Sequence, residues 1–186
     1  MKSFRFALPV VLLALGAVSF AQSAAAPARS DAQKSFATMK TLAGSWEGPV
    51  TVDPPQADMN TDKPLHISMR VTSRGNALVH EMQEADTPLD PAKYDHPVTM
   101  FYLDGDHLNL VHYCDAGNRP HMVARPSPDG KKVEFDFVDL SGGNNYGHMY
   151  HAVFTIIDDN HHTEDWTYMM PGEKPLHAHF DLKRAQ

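Results

Sequence analysis

Leu42-Ala43-Gly44-Ser45-Trp46-Glu47-Gly48, early in the sequence, and His179-Phe180-Asp181-Leu182-Lys183-Arg184, at its end, decide how the chain is read. The last-strand run alternates apolar and polar residues, the period of a β-strand with one buried face, and the same period runs on from Gly44. It recurs between them over 45–52, 65–73, 77–84, 98–103, 107–114, 121–126, 132–138, 148–157, 162–169 and 176–183. Turn formers separate these runs, among them Asp53-Pro54-Pro55, Arg74-Gly75-Asn76, Asp104-Gly105-Asp106, Asp129-Gly130, Asp158-Asp159-Asn160 and Pro171-Gly172. The Asp-Gly pairs are strong hairpin signals. Ten short-connected strands predict an all-β antiparallel meander, and a sandwich of two sheets would accommodate the same pattern. The two terminal runs favour a single closed up-and-down barrel. Closure makes the first and last strands neighbours and removes the edges, so that the Arg184 guanidinium can stack on the Trp46 indole. A Pro-rich insert between Pro88 and Pro97 breaks the rhythm and is expected to cross one barrel mouth.

One segment before Gly44 has helical spacing instead. Ser30 caps a helix over 31–43, Phe36, Met39 and Leu42 fall on one face, and Gly44 is expected to supply the left-handed stop. A helix this short needs to dock, and the open barrel end is the place for it. Further upstream, Lys2 and Arg5 precede an apolar run from Ala7 to Phe20, and Ser19 and Ala21 are small. That pattern predicts a signal peptide over 1–21, a flexible tether over 22–30 and one barrel domain over 31–186, with a periplasmic or secreted location. No later apolar run reaches membrane length, so no stable span is expected once the leader is removed.

Composition narrows the function. With 186 residues the chain suits one domain, and a single cysteine, Cys114, excludes an intrachain disulfide or a multi-thiolate zinc cluster. A net charge of −7 argues against nucleic acid as a partner, because phosphate binding needs a basic surface. Phosphate-cradling loops, dinucleotide fingerprints, zincin helices and nucleophile elbows are absent from the sequence.

Gly44-x-Trp46 with the terminal Arg184 resembles the signature of the calycin superfamily, which includes lipocalins, fatty-acid-binding proteins and nitrobindin-like barrels. His112-Tyr113-Cys114, Gly117-Asn118-Arg119-Pro120, Gly147-His148-Met149 and Thr163-Glu164-Asp165-Trp166-Thr167-Tyr168 further resemble a bacterial family of exported domains of unknown function. The likeness spans about Phe36 to Arg184. It implies a barrel with an internal cavity and names no ligand.

Alternation then sorts the polar residues. His112 with Cys114, His148 with Tyr150, and Glu164 with Trp166 and Tyr168 form rows that combine aromatic walls with a few polar groups, the make-up of a small-molecule pocket. These seven are the candidate ligand-binding residues for a small apolar or amphipathic guest. A one-residue error in facing would exchange inner and outer rows.

Three other readings stay open. His112, Cys114 and His121 offer soft nitrogen and sulfur donors suited to copper, zinc or a haem iron. Cys114, His112 and Glu164 could supply nucleophile, base and orienting group of a hydrolase, although no flanking motif supports this. A barrel packed solid would leave only an interaction domain. Among the remaining histidines, His66, His80, His96, His107, His161 and His162 are expected to be solvated near strand ends. His177 and His179 share one strand face, read as an exposed row that could also chelate a metal.

Overall fold

Ser30 caps the helix, as the sequence predicts. In the computed structural model, which describes residues 28–56, 63–126, 130–172 and 174–185, α1 (Asp31–Thr41) opens on a reciprocal capping box. Gln33 N–H donates to Ser30 Oγ, and Ser30 N–H donates to the Gln33 side chain. Asp31 in the first turn and Lys40 in the last complement the helix dipole. The expected leader and most of the expected tether lie outside the described residues.

The helix ends differently from expectation. Leu42 and Ala43 donate to the carbonyls three residues back, tightening the last turn, and Leu42 is the cap. Gly44 already begins β1 (Gly44–Gly48), at φ +141°. Its lack of a side chain serves a close approach instead, because a Cβ there would collide with the Arg184 guanidinium.

The strands follow as β2 (Val50–Asp53), β3 (Leu65–Thr72), β4 (Ala77–Glu84), β5 (Val98–Asp104), β6 (His107–Tyr113), β7 (Arg119–Pro126), β8 (Lys132–Ser141), β9 (His148–Asp158), β10 (His161–Met170) and β11 (Lys174–Arg184). From β3 onward each pairs antiparallel with the next. β1 pairs with β3 on one side and β11 on the other, Trp46 standing opposite both Ile67 and Arg184, which closes a ten-stranded barrel. The expected single strand over 45–52 is broken at Pro49, which has no N–H for a ladder. Beyond it β2 leaves β3 and continues along β11 alone, from Val50 opposite Phe180 to Asp53 opposite His177.

One end is sealed. The α1 residues Phe36 and Met39, with the cap residue Leu42, join one buried cluster with Trp46, Met69, Leu78 and Leu108, and the helix lies against β5, β6 and β7. Lys40 Nζ and Thr38 Oγ1 donate to the turn carbonyls of Gly75 and Gly130. Trp46 Nε1 donates to Leu42 O at 2.7 Å, and the Arg184 guanidinium lies 4.1 Å over the Trp46 ring. Arg184 donates to Ala43 O, Thr41 O and Asp159 O, so its donors close the carbonyls left at the helix end. Above this seal Phe101, Phe135 and Phe154 interlock with centroids 5.4 to 6.0 Å apart, all fully buried. Side chains fill the middle of the barrel.

At the opposite end, the mouth, the wall parts. β8 and β9 pair only from Lys132–Thr155 to Asp136–His151, whereas β8 stays paired with β7 up to Ser141 and β9 with β10 down to His148. A register shift in each outer pairing leaves Val138 and Tyr150 without opposite residues, and both are exposed. Such bulges end pairing and re-aim side chains.

Candidate functional site

Glu164 is the most constrained side chain in the interior. It sits on β10 with His162 and Trp166 at alternate positions, so all three project inward, and its carboxylate has no exposure. His80 Nε2–H, from β4 across the barrel, donates to both its oxygens at 3.2 and 3.1 Å. His162 Nε2–H and Trp166 Nε1–H donate to one oxygen each, at 3.0 and 2.9 Å. Burial pushes the Glu164 pKa up. The fields and hydrogen bonds of His80 and His162 outweigh it and hold the carboxyl at about 2. It is therefore an ionised, fully coordinated acceptor. The expectation that His80 and His162 are solvated is overturned: both are fully buried, drawn in by this one carboxylate.

The cluster is a link in a longer column. Trp46 meets the His162 ring edge-on at 4.2 Å, and Trp166 lies 6.0 Å from His80 and 5.6 Å from His112. His112, on β6, is fully buried, and its Nδ1 is 2.8 Å from Thr99 Oγ1 on the paired position of β5. Burial, with the field of His80, lowers its pKa to about 3, so the imidazole is neutral. Its Nε2 is buried without a hydrogen-bond partner among the described residues, as is Nδ1 of His80 and of His162. An unsatisfied buried polar atom costs about 1–3 kcal/mol.

Toward the mouth the lining turns aromatic and half-exposed. Phe137 lies 4.7 Å from His148 and stacks on Tyr150 at 5.6 Å and 22°. His148 Nδ1 is 3.1 Å from Asn144 Oδ1, and burial lowers its pKa. Tyr168 donates its hydroxyl to Tyr146 O at 2.8 Å; burial and the nearby Cys114, Asp115 and Asp95 push its pKa to about 12. The Cys114 thiol is raised by burial and by Asp95 and Asp115, so it is held protonated and lacks the thiolate character a nucleophile needs.

The structure thus buries His112, Glu164 and Trp166, with His112 on the mouth side of the other two, and places Cys114, His148, Tyr150 and Tyr168 around the mouth. It does not bring His121 to His112 and Cys114. His121 lies on the outer face opposite Val111, its ring between Asp139 Oδ2 and Asn109 Oδ1. Among the described residues, the group with donor atoms within 4.8 Å of one another is Asp95, Cys114 and Asp115, at the mouth, where the 88–97 insert meets β6. Sequence reasoning missed His80, Thr99 and Phe137. The alternation Leu78-x-His80-x-Met82 signals an inward imidazole at His80, and Thr99 and Phe137 follow from the same rule on β5 and β8.

No protein-family model matches the chain, and no curated protein matches it. Among solved structures it is similar to Rv2717c from M. tuberculosis, with 13% identity, a TM-score of 0.58, and coverage of 82% of this chain and 98% of that one. It is also similar, at 10% identity and a TM-score of 0.49, to a Nostoc punctiforme protein of unknown function from the DUF3598 family, of which it spans 49%. At such identity the likeness to Rv2717c speaks to the fold alone: a ten-stranded antiparallel barrel with neighbours that leave the function open.

Proposed function

We propose that the protein is an exported, calycin-like barrel that binds a small, largely apolar guest beneath its mouth, between the Phe137–His148–Tyr150 wall and the buried His112. The observation that carries this reading is His112 Nε2, a buried polar atom with no hydrogen-bond partner among the described residues. Native interiors satisfy nearly all such atoms. A guest that places one polar group against Nε2 and its apolar body along the aromatic wall would satisfy it, with burial driving affinity and the imidazole setting orientation. The parted β8–β9 wall offers the way in.

Native mass spectrometry of protein from its own host tests this. The expected result is a non-covalent organic adduct that is lost on denaturation and in His112→Leu. Bare protein that also fails to enhance anilinonaphthalenesulfonate fluorescence would overturn the reading.

A second reading places a metal ion or haem iron at the same nitrogen. It is favoured by the neutral His112 ring, whose Nδ1 can donate to Thr99 and leave the Nε2 lone pair free, the arrangement that metal-bound imidazoles use. A Soret band, or metal in elemental analysis that disappears in His112→Leu, would select it.

A further inference from the structure

His177 and His179 stand at alternate positions on the outer face of β11, while Leu176, Phe180 and Leu182 turn inward. Each imidazole is held by the residue directly opposite on β10. His179 Nδ1–H donates to Asp165 Oδ1 at 2.6 Å, and His177 Nδ1 is 3.1 Å from Thr167 Oγ1. The sheet register pairs His179 with Asp165 and His177 with Thr167, so the strand alignment itself creates these contacts. A carboxylate can only accept, which puts a proton on Nδ1 of His179, so that in the neutral ring the lone pair is on Nε2. Nε2 of neither ring has a described partner.

Alternate side chains on a strand start about 7 Å apart on one face, a span two imidazoles bridge by leaning toward a common ion at bonds of about 2 Å. Asp53 on β2 lies opposite His177 on the side away from Thr167, adding an exposed carboxylate to the same row.

We propose that this face of β11 binds one divalent transition-metal ion, Cu²⁺, Ni²⁺ or Zn²⁺, through Nε2 of His177 and His179, with Asp165 and Thr167 as positioning residues and Asp53 as a flanking oxygen donor. Borderline divalent ions suit paired imidazoles, and a carboxylate behind the ring fixes its tautomer and strengthens it as a ligand. The site lies outside the barrel and is independent of any guest within.

The test uses tag-free, chelator-stripped protein titrated with Cu²⁺ by calorimetry near neutral pH. Wild type is expected to take up one equivalent in a saturable step. His177→Ala/His179→Ala should lose at least tenfold in affinity with unchanged circular dichroism, and Asp165→Asn about tenfold. Electron paramagnetic resonance of the copper complex should show coupling to two imidazole nitrogens. Equal affinity in the double variant would place the ion on others of the twelve histidines and overturn the site. Unchanged affinity in Asp165→Asn would remove the positioning role.

Discussion

The sealed end and the mouth of this barrel use the same residue types, histidine, tryptophan, tyrosine and carboxylate, to opposite effect. At the sealed end three N–H donors converge on Glu164, and Arg184 closes the carbonyls around Trp46. Toward the mouth His112 Nε2 has no partner among the described residues, the β8–β9 ladder stops, and Tyr150 is 43% exposed. At one end the buried carboxylate is matched by three donors, although Nδ1 of His80 and of His162 stays bare among the described residues; at the other the ladder itself stops and the aromatic lining meets water. Under the proposed function, the contrast assigns stability to one region and guest binding to the other, in keeping with the unmet polarity that collects at functional sites.

Removing the hub of the sealed end should have the largest effect. Glu164→Ala strands two imidazoles and an indole N–H in a dry interior, and a loss of about 3–5 kcal/mol is expected in urea denaturation. A loss under about 1 kcal/mol would mean that the cluster is hydrated and that the two ends are alike.

His112→Leu sharpens the contrast, because it removes an unmet polar group instead of a met one. Stability at neutral pH should be unchanged or higher, while guest binding is lost. The pH dependence carries a clear sign. The folded His112 stays neutral down to about 3, and the unfolded residue takes a proton near 6.5, so the unfolded state binds more protons between these values. Stability therefore falls as pH drops from about 6.5 toward about 3 and recovers as it rises, by roughly 1.4 kcal/mol per unit at most. His112→Leu should flatten that slope above pH 4.5. It should keep the further fall from 4.5 toward about 2, where the depressed Glu164 loses its contribution. Urea midpoints measured across this range check both parts.

Tyr150→Ala should have the smallest effect on stability, within about 1 kcal/mol, since its ring is half in water. It should speed release of a bound fluorescent probe, measured by stopped flow, because it thins the aromatic wall where β8 and β9 part. A slower release would place the path elsewhere.

Much of the fold was legible from residues alone. Period-two alternation and Asp-Gly turns marked the strands, and the Trp46 and Arg184 runs identified the seam, since only closure lets those two rings of charge and indole meet. The helix start was equally readable, because Ser30 and Gln33 cap within four residues of one another. Its end was not. Gly44 looks like a helix stop in sequence, and only the arrival of Arg184 from the far end of the chain shows that the missing side chain makes room for a guanidinium.

The site divides the same way. Strand alternation placed His112, Glu164 and Trp166 inward before any coordinates. It could not join His80 to Glu164, which are 84 residues apart, or show that Phe137 stacks on Tyr150 where two bulges end a ladder. The sequence by itself determined which faces are apolar, where the chain turns and that the first and last strands meet, because those follow from local periodicity and backbone sterics. Which buried polar atoms find partners and which are left bare was decided by tertiary structure alone, because barrel stagger brings residues from non-adjacent strands within the 3 Å over which a hydrogen bond forms.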